Sequence, residues 1–375
     1  MRPIQMVDLK QQYEHIKPDV DEAIHNVLDS CAFINGKPVQ DFARHLAGYS
    51  GLKHVIPCAN GTDALQIALM ALGLEPGDEV ITPSFTYIAT TEVIALLRFK
   101  PVFVEVDPQT FCISPEAVEK AVTPKTRAIV PVHLYGQSAN MEEIMRIAEK
   151  YNLHVVEDNA QAIGCDYTFT NGIKKKTGTI GTIGCTSFFP SKNLGCYGDG
   201  GAMFTNNDEL AERLKMIANH GQKVKYYHEV VGCNSRLDTL QAAILNIKLK
   251  KLDDYIAARQ KAAAYYNKAF ANQPKITTPF TASYTNHVFH QYTLILNDVN
   301  RDELNKYLAE HHIPSMIYYP VPAHRQKMFE AFGGAAYQLP QTDWLTERVI
   351  SLPIHTELDE EQLAFITQKV LSYIN

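Results

Sequence analysis

Between residues 52 and 205, short apolar runs alternate with amphipathic stretches. Residues 55–58, 79–82, 101–105, 128–132 and 154–157 read as strands, each a brief apolar run between polar or turn-forming neighbours. Residues 62–72 read as a helix with Ala64, Leu65, Ala68, Leu69 and Leu72 on one face. Gly73 stops that helix, and 75–78 makes a turn. Helical patterns near 86–98, 114–122 and 139–151 separate the other strands. This alternation implies right-handed crossovers and a largely parallel sheet covered on both faces.

The pattern changes after Asp158. Residues 163–205 hold three short β-like runs and many glycines, and a long helical stretch covers roughly 237–271. Beyond it the chain reads as a strand at 287–296, a helix at 301–312, a strand at 314–319 and then helices to Asn375. This predicts an α/β protein of two units, a large domain over 1–250 with a helical N-terminal segment and a smaller α+β domain over 251–375. There is no internal repeat and no low-complexity linker.

Composition narrows the function classes. Apolar residues at 46% and charged residues at 20% exclude a disordered or fibrous chain. A net charge of −6 disfavours nucleic acid as a partner, because phosphate neutralisation needs a basic surface. No stretch approaches the ~20 apolar residues that span a membrane, and the N-terminus lacks the apolar run of a signal peptide. The seven cysteines form no CxxC pair and are odd in number, which suits reduced thiols in the cytoplasm. With no HExxH histidine pair either, no metal is expected.

Three segments could carry chemistry. In Ala59-Asn60-Gly61-Thr62-Asp63-Ala64-Leu65 a strand ends and a helix begins, so free N–H groups and the helix dipole make an anion site. The plainer reading is a helix cap supplied by Thr62 or Asp63. In 154–161 an apolar strand brings Glu157 and Asp158 to its C-terminal end on opposite faces, so the two are not a paired acid and base. One of them could hold a metal, a ribose or a protonated ring nitrogen, or simply cap the next segment. In 186–201 Lys192 lies among hydroxyls, aromatics and glycines. Partial burial would free its amine to attack carbonyls, whereas an exposed glycine-rich hairpin would leave it inert.

An anion cradle, a strand-end carboxylate and an activated lysine together match what pyridoxal 5′-phosphate (PLP) requires. The stretches NGTDAL, TPSFTYIAT, VVEDNAQA, TSFFPSKNLGCYGDGGA and VGCNSRLDTLQAAIL carry the match further. With them the chain resembles the DegT/DnrJ/EryC1/StrS sugar aminotransferases over nearly its whole length. It agrees best with the branch that aminates UDP-linked 3-keto hexuronic acids in bacterial surface-polysaccharide synthesis. That resemblance implies the aspartate-aminotransferase-like fold (PLP fold type I), with a mostly parallel seven-stranded sheet.

It also implies roles. Lys192 would bind PLP covalently, Asp158 would pair with the pyridinium nitrogen, and Gln161 would meet the ring hydroxyl. Gly61, Thr62 and Ser187 would hold the phosphate, and Tyr87 would stack on the ring or else be a core aromatic. Asn234, from the neighbouring subunit, would complete the phosphate cup of a homodimer, unless it or Ser235 caps the following helix. A lysine at 192 argues against the related dehydratases, which carry histidine there. L-Glutamate would be the amino donor, in ping-pong turnover. Arg236 is the candidate for the sugar carboxylate, with an ion pair to Asp238 or Asp253 as the plainer alternative. Tyr318 and His324 are candidates for the nucleotide sugar. The rivals are a PLP enzyme for a 3- or 4-keto-6-deoxy sugar or an aminodehydroquinate-like ring, and a non-catalytic PLP-binding regulator.

Overall fold

The computed structural model describes residues 1–375. The five early strands form, as β1 (His54–Cys58), β2 (Glu79–Pro83), β3 (Lys100–Val104), β4 (Thr126–Ile129, earlier than the 128–132 expected) and β5 (His154–Asp158). β6 (Ile183–Ser187) and β7 (Gly201–Thr205) complete a seven-stranded sheet of order β1-β7-β6-β5-β4-β2-β3. Only β7 opposes its neighbours, pairing antiparallel with both β1 and β6. The C-terminal ends of β1, β2, β5 and β6 therefore share one edge, which is where open α/β sheets bind ligands.

Alternation along each strand feeds two cores. Ile56, Val80, Ala128, Val156, Ile183 and Met203 face helices Gly61–Ala71 and Asp208–Ala218. Ile81, Ile129 and Val155 face the other side, against helix Met141–Tyr151. Val55 and Phe204 continue that side beneath helices Lys37–Ser50 and Thr239–Leu249. Phe188 is fully buried there, edge-on to Phe42 at 5.2 Å between ring centroids. It thus pins the chain directly after Ser187, and truncating such a ring costs about 3–5 kcal/mol.

The helical stretch at 237–271 is two helices, Thr239–Leu249 and Leu252–Phe270. No glycine or proline marks the break at Lys250–Lys251. Leu245 and Leu249 before the break and Leu252 and Ile256 after it all serve the large core, and only farther along do Tyr266 and Phe270 serve a second one. That second core backs a three-stranded antiparallel sheet of β8 (Ile276–Thr277), β9 (Tyr292–Leu296) and β10 (Val349–Leu352), covered by Arg301–Glu310 and Glu360–Ile374. The strand expected over 287–296 is shorter, because His287 instead stacks on Phe289 at 4.0 Å. The strand expected at 314–319 is reduced to a Met316–Ser351 bridge on the edge of β10 away from β9. Ile4 joins the second core, so the N-terminal strap reaches across to the C-terminal unit. Lys174–Lys176 forms one strand of a hairpin with Asp166–Thr168.

Candidate active site

The cup at the end of β1 forms because Asn60, not Thr62 or Asp63, caps the helix. Its side chain accepts from the Asp63 N–H at 2.8 Å. The N–H groups of Gly61 and Thr62 belong to the first turn and have no intrahelical acceptor. The half-buried Ser187, at the end of β6, faces them. A Cβ on Gly61 would lie 2.7 Å from Ser187 Cβ, so only glycine lets these two strand ends close on one another. The result is a helix start with free N–H groups beside a hydroxyl, an arrangement suited to an anion.

Asp158 and Glu157 point to opposite sides of the sheet and do different things. Asp158 is almost fully buried. Its Oδ2 accepts from Thr90 Oγ1 at 2.7 Å, and its Oδ1 accepts from the Ala160 N–H at 3.1 Å. Glu157 is fully buried and accepts from His133 Nε2 at 2.9 Å and from the backbone N–H groups of Gly178, Ile180 and Gly181 at 2.8, 2.7 and 2.6 Å. Burial pushes the Glu157 carboxyl up, but the His133 and backbone donors outweigh it and hold the group below the usual carboxylate range. Glu157 is thus a structural anchor behind the strand end that presents Asp158.

Lys192 lies in the connection from β6 to β7. The connection is compact: Lys192 N–H reaches the Phe189 carbonyl and Cys196 N–H the Phe188 carbonyl, each at 2.8 Å. A Cβ on Gly195 would lie 2.3 Å from the Pro190 carbonyl oxygen, so the loop cannot close this tightly with any other residue. The lysine is therefore not on an open hairpin. It sits deep among packed atoms with part of its surface still accessible. Desolvation lowers its amine to about 8, against an upward pull from Asp158. A second lysine, Lys248, is also lowered to about 8 by burial. It is only 1% exposed and lies over the Tyr197 ring at 5.2 Å, so no ligand reaches it. Access, rather than basicity, singles out Lys192.

Gln161 is held from both ends. Its Oε1 accepts from the Tyr135 N–H at 2.8 Å, and its Nε2 donates to Tyr319 Oη at 2.9 Å. The Tyr87 ring is 57% exposed and 6.2 Å from that of Tyr319. It stands free of the core, open to a planar ligand. Tyr319 and Thr90 went unnoticed in the sequence. Both lie inside or beside segments that drew attention, but their partners are remote along the chain.

The substrate-side residues are placed unevenly. Asn234 is exposed and its side chain makes no hydrogen bond. Neither it nor Ser235 caps a helix, because the helix begins at Thr239. Ser235 Oγ instead accepts from the Ala59 N–H at 3.0 Å, tying this segment to the loop that enters the cup. Arg236 is half-buried and pairs with neither Asp238 nor Asp253, and Asp253 accepts from Tyr49 Oη at 2.7 Å instead. The Tyr318 carbonyl accepts from the Tyr135 hydroxyl. His324 is buried, its Nδ1 2.7 Å from Ser84 Oγ, which leaves its ring no solvent face. No helix is long and apolar enough to cross a membrane.

This geometry fits PLP: an anion cradle at a helix start, a buried carboxylate, and an accessible amine of lowered basicity lie along one sheet edge. The fold is that of the PLP-dependent aminotransferases, and these features suit their cofactor. The chain belongs to the DegT/DnrJ/EryC1/StrS aminotransferase family, whose model matches residues 14–371. The family uses PLP. The chain is 48% identical over 372 residues to a pleiotropic regulatory protein of Geobacillus stearothermophilus, covering 99% of this chain and 98% of that one. It is 47% identical over 363 residues to the UDP-2-acetamido-2-deoxy-3-oxo-D-glucuronate aminotransferase of Pseudomonas aeruginosa, covering 97% and 98%. The crystal structure of S. venezuelae DesV in complex with a ketimine intermediate matches with a TM-score of 0.94 at 40% identity, covering 100% of this chain and 99% of that one.

Proposed function

We propose that this aminotransferase converts UDP-2-acetamido-2-deoxy-3-keto-glucuronate to its 3-amino sugar, with L-glutamate as donor, in the cytoplasm as part of bacterial surface-polysaccharide synthesis. The observation that carries the uronate assignment is Arg236, a half-buried guanidinium with no ion pair in its own chain. A planar bidentate donor of this kind is what a hexose carboxylate needs. The name of the Pseudomonas relative points the same way. Seven free cysteines suit a reducing compartment.

PLP, when bound, supplies an electron sink that allows nitrogen to pass from an amino acid to a keto sugar at one site. The chain's own residues supply the rest. Gly61, Thr62 and Ser187 hold the phosphate through N–H and hydroxyl groups. Asp158 keeps a proton on the ring nitrogen, and Gln161 donates to the ring hydroxyl. Tyr87 covers one ring face. Lys192 Nζ would anchor the cofactor and, once free, would be the base that carries the proton from the donor's α-carbon to the cofactor's C4′, and in the opposite sense for the sugar. An intact lysine and carboxylate argue against a purely regulatory protein. The homodimer reading rests on Asn234, free and exposed, and on the adjoining Gln222–Val224 and Tyr227–His228 hairpin, where Val224, Tyr226 and Tyr227 expose large apolar surfaces.

The test is a panel of nucleotide keto sugars incubated with PLP, L-glutamate and the purified protein. Formation of 2-oxoglutarate and of a 3-amino uronate is expected. A preference for neutral 4-keto-6-deoxy sugars would overturn the uronate assignment while leaving the aminotransferase intact.

A further inference from the structure

The Thr90 hydroxyl lies 2.7 Å from Asp158 Oδ2, and both residues are nearly water-free. A carboxylate only accepts, so the single hydroxyl proton of Thr90 is committed to Asp158. Thr90 Oγ1 is also 3.1 Å from the buried Thr86 Oγ1. With the Thr90 proton already spent, Thr86 must be the donor in that contact. The direction of the chain is therefore fixed: Thr86 to Thr90 to Asp158. Each donor is polarised by the one before it, and the Ala160 N–H serves the other carboxylate oxygen at 3.1 Å.

We infer that Thr90, backed by Thr86, is a positioning residue that fixes the orientation of the Asp158 carboxylate toward the cofactor's ring nitrogen. The inference rests on the pairing of Asp158 with that nitrogen. The consequence is a proton balance between two atoms. The Thr90 hydrogen bond fixes where the Asp158 carboxylate sits, so that it meets the ring N–H in line and the shared proton is held on the ring. Without the hydroxyl the carboxylate is free to turn, and the ring N–H loses its aligned acceptor. The ring then withdraws electrons less well. Nothing in the packing demands a hydroxyl here, since valine has the same shape.

The test compares Thr90→Val, Thr90→Ser, Thr86→Val and Asp158→Asn, each loaded with PLP labelled with 15N in the ring. The readout is the ring-nitrogen resonance, with the half-reaction with glutamate in parallel. In Thr90→Val the resonance should move toward that of an unprotonated pyridine, and the half-reaction should slow about 10- to 100-fold, as for loss of one hydrogen bond to a charged group. Thr90→Ser should keep the wild-type resonance, and Thr86→Val should move it less than Thr90→Val but in the same direction. A wild-type resonance in Thr90→Val alongside a shifted one in Asp158→Asn would overturn the role of Thr90 alone. An unshifted Asp158→Asn would overturn the Asp158 pairing and this inference with it. Equal losses in the Val and Ser variants would reduce Thr90 to packing.

Discussion

Replacing Glu157 with glutamine tests whether the strand end that carries Asp158 is held from behind. Oε2 receives His133 Nε2 and the Gly178 N–H, while Oε1 receives the N–H groups of Ile180 and Gly181. His133 Nδ1 accepts from the Ala139 N–H at 3.1 Å, so its Nε2 carries a proton and is a fixed donor. All partners of Glu157 are therefore donors. A glutamine retains one oxygen, which satisfies one pair, and turns its NH2 against the two donors of the other. Each buried group left unsatisfied costs about 1–3 kcal/mol, so the two together cost about 2–6 kcal/mol. The assay is urea unfolding at pH 7 of wild type and Glu157→Gln. The native carboxyl is held below its unfolded value. Its contribution is therefore complete above the unfolded value of roughly 4.3 and is lost as pH falls through the native value. The gap between the two proteins should narrow only in acid. A variant within about 0.5 kcal/mol of wild type at pH 7, the range of an ordinary surface substitution, would refute the anchoring role.

Other outcomes follow from the site. Capture of added PLP by the apoprotein should speed up with pH and level off above about 8, because desolvation sets the Lys192 amine there and only its neutral form attacks a carbonyl. A rate that keeps rising to roughly 10, the ordinary lysine range, would contradict that environment. Mixed dimers of Lys192→Ala and Asn234→Ala subunits should regain activity if each cup borrows Asn234 from its neighbour. Verified subunit exchange without recovery would instead assign Asn234 to its own chain, to whose cup Ser235 already ties it. Arg236→Ala should lose about 2–4 kcal/mol in the uronate half-reaction and much less in the glutamate half-reaction, as for truncating one member of a buried charge pair. Single-turnover kinetics of each half-reaction decide it, and an unchanged uronate step would eliminate Arg236.

The sequence exposes the parts of this molecule whose cause is local. β1 to β5 are apolar runs between turn residues, and Gly61 and Gly195 mark close backbone approaches that other residues would prevent. What stayed hidden has non-local causes. The break at Lys250–Lys251 carries no breaker in the sequence, and the residues on its two sides, Leu249 and Leu252, both pack into the large core. β10 exists because β9 needs a partner, and its four residues follow helix Pro340–Arg348 without a turn signal. Thr90 is 68 residues from Asp158, and Tyr319 is 158 residues from Gln161. Nothing at either end announces the contact. Asn60 was passed over as the cap because Thr62 and Asp63 are equally good capping residues by type, and only the start of the helix at Gly61 decides among them.

For Lys192 as the covalent anchor, Lys248 offers a demanding control. Burial lowers both amines to about 8, so basicity alone does not separate them. Only Lys192 is accessible and within the field of Asp158. Borohydride reduction of the PLP-loaded protein, followed by peptide mapping, should place the pyridoxyl group on Lys192, with labelling abolished in Lys192→Ala and unchanged in Lys248→Met. Label on Lys248, or on any other lysine, would contradict the account.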